Sequence, residues 1–125
     1  MKQIGGPLIG PGGAALPLSA AIEANGIVFV SGQLPLRNGA VVGTDIVEQT
    51  HLVLDLIAGI LAQADLTLAH VTRCGVWLID PADFPAFNQA YASRFAAPYP
   101  ARATVISRLA VPGALVEIDA MAVRP

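Results

Sequence analysis

The chain of 125 residues is long enough for a single domain, residues 1–125, with a real core. It is apolar at 54% of positions and charged at only 13%, where soluble proteins average roughly 25% charged residues. With a mean hydropathy of +0.62, this is more hydrocarbon than a small monomer can hide, which predicts a homo-oligomer. Seven scattered Lys and Arg residues and a net charge of −2 leave no basic stripe for a run of phosphates, which counts against a nucleic-acid partner.

The single cysteine, Cys74, can form neither an intrachain disulfide nor a zinc site alone, in keeping with a reducing compartment. Gln3 to Ile22 carries no charge, as a leader or spanning segment would. Five glycines between Gly5 and Gly13, with Pro7, Pro11 and Pro17, leave no continuous apolar helix in it. The stretch reads as an ordered arm on a cytoplasmic protein that does not engage a membrane.

Two strands follow, Ser19–Ala24 and Ile27–Ser31, joined by Asn25-Gly26, a strong hairpin signal. Leu36–Gly43 reads as a loop with a turn at Asn38-Gly39. A helix is predicted from about Asp45 to Ala64, with Asp45 and Glu48 at capping-box spacing and Thr44 as a competing cap. Its apolar face comprises Ile46, Val47, Val53, Leu54, Ile57, Ile60, Leu61 and Ala64. Val71–Ile79 is the third strand. Asp80-Pro81 opens a second helix whose buried stripe is Phe84, Phe87, Tyr91 and Phe95. Ala101–Ser107 and Ala114–Val123 complete a ββαβαββ order. That order predicts an α+β fold with two helices on one face of a mostly antiparallel sheet. Ile27–Val30 and Val76–Ile79 are apolar on both faces, so the uncovered face is expected to meet another subunit.

Two charges in this apolar chain call for a reason. Arg102 stands in the small and β-branched run Pro100-Ala101-Arg102-Ala103-Thr104-Val105, and Glu117 in Val116-Glu117-Ile118-Asp119-Ala120. Alternation puts Arg102 with Thr104, and Glu117 with Asp119. A guanidinium matches a carboxylate bidentately, and a partly buried glutamate can serve as a general base or acid. From spacing alone, an ion pair of Arg102 with Glu117 or Asp119 at a subunit contact is the commoner arrangement. Asn88, on the aromatic stripe of the second helix, must find hydrogen-bond partners; it either holds a backbone loop or frames a pocket. Ser31-Gly32-Gln33 ends a strand with a hydroxyl and free N–H groups. His51 and His70 show no metal or triad spacing, and Cys74 reads as a core filler. Gly10-Pro11-Gly12-Gly13 lacks the Lys-Ser/Thr of a phosphate loop.

These segments resemble the RidA/YjgF family, also called the L-PSP endoribonuclease family, over nearly the full length. The likeness runs through Asn25-Gly26-Ile27-Val28-Phe29-Val30-Ser31-Gly32-Gln33, Asp83-Phe84 with Asn88 and Tyr91, Pro100-Ala101-Arg102, and Val116-Glu117-Ile118-Asp119-Ala120-Met121-Ala122. The resemblance implies a chorismate-mutase-like α+β fold, a homotrimer with helices outside, and three clefts between neighbouring subunits. It implies hydrolysis of reactive 2-imino acids, derived from enamines such as 2-aminoacrylate, to 2-keto acids and ammonia, with no cofactor and no metal. Carried onto this chain, Arg102 would clamp the substrate carboxylate and Glu117 would position or activate the attacking water. Backbone near Gly32 and Thr104 would line the pocket, supported by Ser31 and Asn88.

The chain departs from the family's best-known deaminases at two positions. Their tyrosine after the N-terminal Gly-Pro corresponds to Leu18 in Leu16-Pro17-Leu18, and the cysteine two residues after the arginine is Thr104. Two alternatives remain open: a deaminase or hydrolase of another small carboxylated metabolite, and a small-ligand-binding protein without turnover. The ribonuclease or translation-inhibitor activity described for the family fits poorly with a pI of about 5.5 and no aromatic stacking surface.

Overall fold

The computed structural model describes residues 1–125 apart from the side chain of Pro11. Its strands are β1 (Lys2–Ile4), β2 (Ala21–Ala24), β3 (Ile27–Gln33), β4 (Leu36–Arg37), β5 (Ala40–Val41), β6 (Val71–Leu78), β7 (Ala101–Ile106) and β8 (Val116–Val123). Two helices, α1 (Ile46–Ala62) and α2 (Phe84–Ala92), follow β5 and β6 respectively. Among the described residues, six strands form one sheet in the order β1-β2-β3-β8-β6-β7. Every pairing in it is antiparallel except β6 with β7, which α2 connects in parallel. This is the α+β architecture expected from the sequence.

Local chemistry explains the elements. Asn25 (φ 53°) and Gly26 (φ 75°) are both left-handed, as a two-residue turn between strands of right-handed twist requires. Asn38 and Gly39 repeat that geometry, so the segment read as a loop is a short hairpin of β4 and β5. Strand β1 was not expected: three residues offer no alternation to read, yet they pair with β2 along its outer edge. Helix α1 begins at the predicted cap, where Asp45 accepts the Glu48 N–H at 2.8 Å. Glu48 in return accepts the N–H of Thr44 at 2.8 Å, so Asp45 is the cap and Thr44 only donates to the first turn.

The helices cover one face. Val28 and Val30 from β3, Cys74, Val76 and Leu78 from β6, and Val116, Ile118, Ala120 and Ala122 from β8 pack against Val53, Leu54, Ile57 and Leu61 of α1 and Phe87 of α2. Two expected core residues lie outside. Val47 is 39% exposed, because the buried stripe of α1 runs through Ile46, Thr50, Val53 and Ile57 instead. Phe84 is 40% exposed at the first turn of α2, after Asp80 has capped a separate 3-10 turn at Pro81–Asp83. Gln49, fully buried, binds the carbonyls of Gly43 and Gly113 and the N–H of Leu115, tying two loops to α1. Cys74 is buried in the core, as expected of a small filler.

The opposite face carries Phe29, Val105 and Val123, all well exposed, with half-buried Trp77 and Met121. Among the described residues no helix covers it, and none is long and apolar enough to cross a membrane.

Candidate functional site

Register decides where the charged residues point. Arg102 aligns with Cys74 and Thr104 with Val76, both core residues, so Arg102 and Thr104 lie on the helix-covered face. β7 is the last strand of the sheet, and among the described residues its outer edge is unpaired. The Arg102 side chain folds over α2, with its guanidinium carbon 4.9 Å from the Tyr91 ring centroid, 5.3 Å from Phe87 and 5.8 Å from Phe84. Contacts of this kind hold a cation in place by roughly 0.5–2 kcal/mol each. Nη2 also donates to Asn88 Oδ1 at 2.7 Å. Asn88 therefore anchors the arginine rather than a backbone loop.

Among the described residues Arg102 makes no ion pair; the salt bridges there are Arg94–Asp55 and Arg124–Glu23. A depression of about 410 Å³ opens beside the guanidinium, walled by Asn88, Tyr91, Ala92, Tyr99 and Pro100. Among the described residues its walls hold no acidic side chain. The Tyr91 hydroxyl is buried without a partner of hydrogen-bonding geometry. It lies beside the Cys74 thiol, and burial above all pushes both groups above their ordinary pKa values.

Glu117 aligns with Trp77 and Asp119 with Gly75, on the open face of the sheet. Two glycines make room for these carboxylates. A Cβ on residue 32 would collide with Glu117 Oε2, and one on residue 75 would stand 2.5 Å from Asp119 Oδ1. Asp119 accepts the Gly75 N–H at 2.7 Å, while no donor among the described residues reaches Glu117. Burial first, and the Asp119 charge second, push the Glu117 carboxyl above its ordinary value. Gly32 lies in an irregularity of β3, where Val30 pairs with Ala120 but Gln33 already pairs with Ile118. That bulge re-aims the backbone beside Glu117. Ser31 Oγ donates to Ser19 O at 2.5 Å, fastening the N-terminal arm that carries exposed Leu18.

The predicted residues thus form two groups on opposite faces. Arg102, Asn88 and Thr104 make one; Glu117, Gly32 and Ser31 make the other, and Leu18 is tied to it only through the bond of Ser31 to Ser19. The ion pair of Arg102 with Glu117 or Asp119 does not form within one chain. Sequence reading missed Gly75 and Tyr99. Gly75 faces a carboxylate two residues before the strand's tryptophan, a spacing that carries no signal in itself. The only hint at Tyr99 is its placement between Pro98 and Pro100.

A family model described as Endoribonuclease L-PSP matches residues 12–124. Among curated relatives, 3-aminoacrylate deaminase RutC of Acinetobacter baylyi is 42% identical over 120 residues, 92% of this chain and 95% of that protein. Protein DfrA of Myxococcus xanthus is 39% identical over 111 residues, 86% of this chain and 85% of its own. The crystal structure of NMB1025 from Neisseria meningitidis, a member of the YjgF protein family, superposes with a TM-score of 0.80 at 38% identity, covering 88% of this chain and 90% of that one.

Proposed function

We propose that this chain, which belongs to the endoribonuclease L-PSP (YjgF/RidA) family, hydrolyses reactive 2-imino and enamine acids to 2-keto acids and ammonia. One observation carries the reading: a guanidinium fixed by Asn88 and three aromatic rings, with no carboxylate partner, beside an open depression without acidic walls. Such a group is pre-organised for a substrate carboxylate.

The chemistry asks little more of the site. The imine carbon is already electrophilic, so orientation and a placed water suffice. Water adds to that carbon and gives a proton to Glu117. Glu117 returns it to nitrogen, giving a carbinolamine, then takes the hydroxyl proton and hands it to the amine as the C–N bond breaks, so that the C=O bond of the keto acid forms and ammonia leaves. A carboxyl raised above its ordinary value suits both transfers. Ser31, Gly32 and Thr104 line the cleft, and Leu18 stands where other deaminases of the family present a phenol.

Arg102 and Glu117 lie on opposite faces of their own sheet, so a cleft that uses both draws them from two copies. The uncovered apolar face supports that assembly, and we assign it to a homotrimer. One buried cysteine without a disulfide suits the cytoplasm.

The test is to generate 2-iminopropionate or 2-iminobutyrate in situ and trap it with semicarbazide. The protein is expected to suppress semicarbazone formation, and Arg102→Ala to do so at least about tenfold less efficiently. Keto-acid binding without any shortening of imine lifetime would leave a ligand-binding protein instead. The 3-aminoacrylate deaminase among the relatives makes that enamine the second substrate to try.

A further inference from the structure

Tyr99 stands between two depressions. On one side is the space of about 410 Å³ beside Arg102; on the other is one of about 550 Å³ lined by Leu68, Val71, Phe95, Ala97 and Pro98. Tyr99 and Pro100 belong to the walls of both. The second depression is mostly apolar. Its one cationic side chain, Arg94, is committed to Asp55 and to the His51 carbonyl.

Although 56% exposed, Tyr99 sits on stiff backbone. Prolines on both sides fix their own φ, and Pro100 restricts Tyr99 to extended conformations. The ring therefore projects from a fixed point of the backbone, at the boundary that the two depressions share.

The consequence rests on Arg102 holding the substrate carboxylate. The reacting carbon is bonded to that carboxylate and carries the side chain, so the side chain starts inside the first depression. A short one fits there. A longer one has an apolar space to enter, and Tyr99 stands in the way. We propose that Tyr99 sets the side-chain length this site accepts, favouring acids with one- or two-carbon side chains over branched four-carbon ones. Removing the ring would join the two depressions and open the site to the longer class.

The experiment measures calorimetric binding of pyruvate and 4-methyl-2-oxopentanoate, the products of a short and a long imino acid, to the wild type, Tyr99→Ala, Tyr99→Phe and Arg102→Ala. Circular dichroism and molecular mass on the same samples establish that each variant is folded and assembled. The wild type is expected to prefer pyruvate. Tyr99→Ala should shift the ratio toward the longer acid by roughly tenfold, the effect of burying about two methylene groups. Tyr99→Phe, which keeps the ring, should retain the wild-type ratio. A wild type that binds the longer acid at least as well, or a Tyr99→Ala ratio equal to wild type while Arg102→Ala loses both ligands, overturns this role of Tyr99 and leaves the Arg102 clamp standing. Undiminished binding by Arg102→Ala overturns the clamp and the role of Tyr99 together.

Discussion

The Glu117 carboxylate occupies the space that a side chain on residue 32 would need. The glycine is therefore required by a neighbour's chemistry and not by its own backbone. The atom in the way is the far end of a flexible side chain, so a methyl group there would turn the carboxylate aside rather than unfold the sheet. Gly32→Ala is expected to lower kcat at least tenfold, the usual scale for a displaced general base. Keto-acid affinity and Tm should change little. A variant with wild-type kcat would mean that Glu117 takes no part in the proton transfers.

Arg102 is tested through its own geometry and through Asn88. Lysine offers a point charge that cannot reproduce the fork, so Arg102→Lys should fail nearly as badly as Arg102→Ala. Both should lose roughly 1.5–3 kcal/mol of transition-state binding, about 10- to 150-fold in kcat/KM, with assembly intact. Asn88→Asp is the subtler probe. It puts a carboxylate where the amide oxygen now accepts from Arg102 at 2.7 Å, and so supplies the missing counter-charge. Keto-acid affinity should fall about tenfold or more while Tm holds or rises. A fall in Tm with affinity unchanged would count against Arg102 as the clamp.

Much of this arrangement was legible in the residues themselves. Asn25-Gly26 specified its hairpin because two left-handed positions in succession admit few other residues. Asp45 and Glu48 placed the start of α1. Alternation grouped Arg102 with Thr104, and Glu117 with Asp119. It did not tell which pair faces the helices, since that depends on how β7 registers against β6 and β8 against β6. The opposed faces of Arg102 and Glu117 are therefore a property of the sheet and not of either strand. Asn88 was visible as an amide among aromatics, but its partner 14 residues away was not. Val47 was misplaced because one step around a helix is about 100°, enough to carry a residue off a narrow stripe.

The open face provides an assembly test with a built-in reporter. Phe29 stands beside Met121 on that face, and Trp77, the only tryptophan, lies half-buried on it. Light scattering is expected to give the mass of a trimer. Phe29→Glu should dissociate it, because burying an unpaired carboxylate against a neighbouring copy is costly, and Trp77 emission should move to the red as water reaches the indole. The monomers should have lost deamination even though Arg102 and Glu117 are both present. A wild type that is monomeric at micromolar concentration and still active would sink the composite cleft.

The raised Glu117 pKa makes a prediction about pH with a definite sign. Burial and the Asp119 charge disfavour the ionised carboxyl in the folded protein, so its folded value lies above its unfolded one. Glu117 therefore favours folding when protonated, fully so below the ordinary glutamate value. That contribution is lost as pH rises through the raised folded value. Glu117→Gln, which cannot ionise, should be more stable than wild type at neutral pH, and the difference should shrink toward zero as pH falls below the ordinary carboxylate range. Urea melts of the two proteins at several pH values measure it. Activity should move the opposite way, because the base must be ionised to take a proton from water. kcat should fall on the acid side with a midpoint above that of an ordinary carboxylate, and any residual activity of Glu117→Gln should lack that limb. Equal stability of the two proteins at every pH, together with an unshifted acid limb, would mean that Glu117 is a well-solvated carboxylate and that the base lies elsewhere.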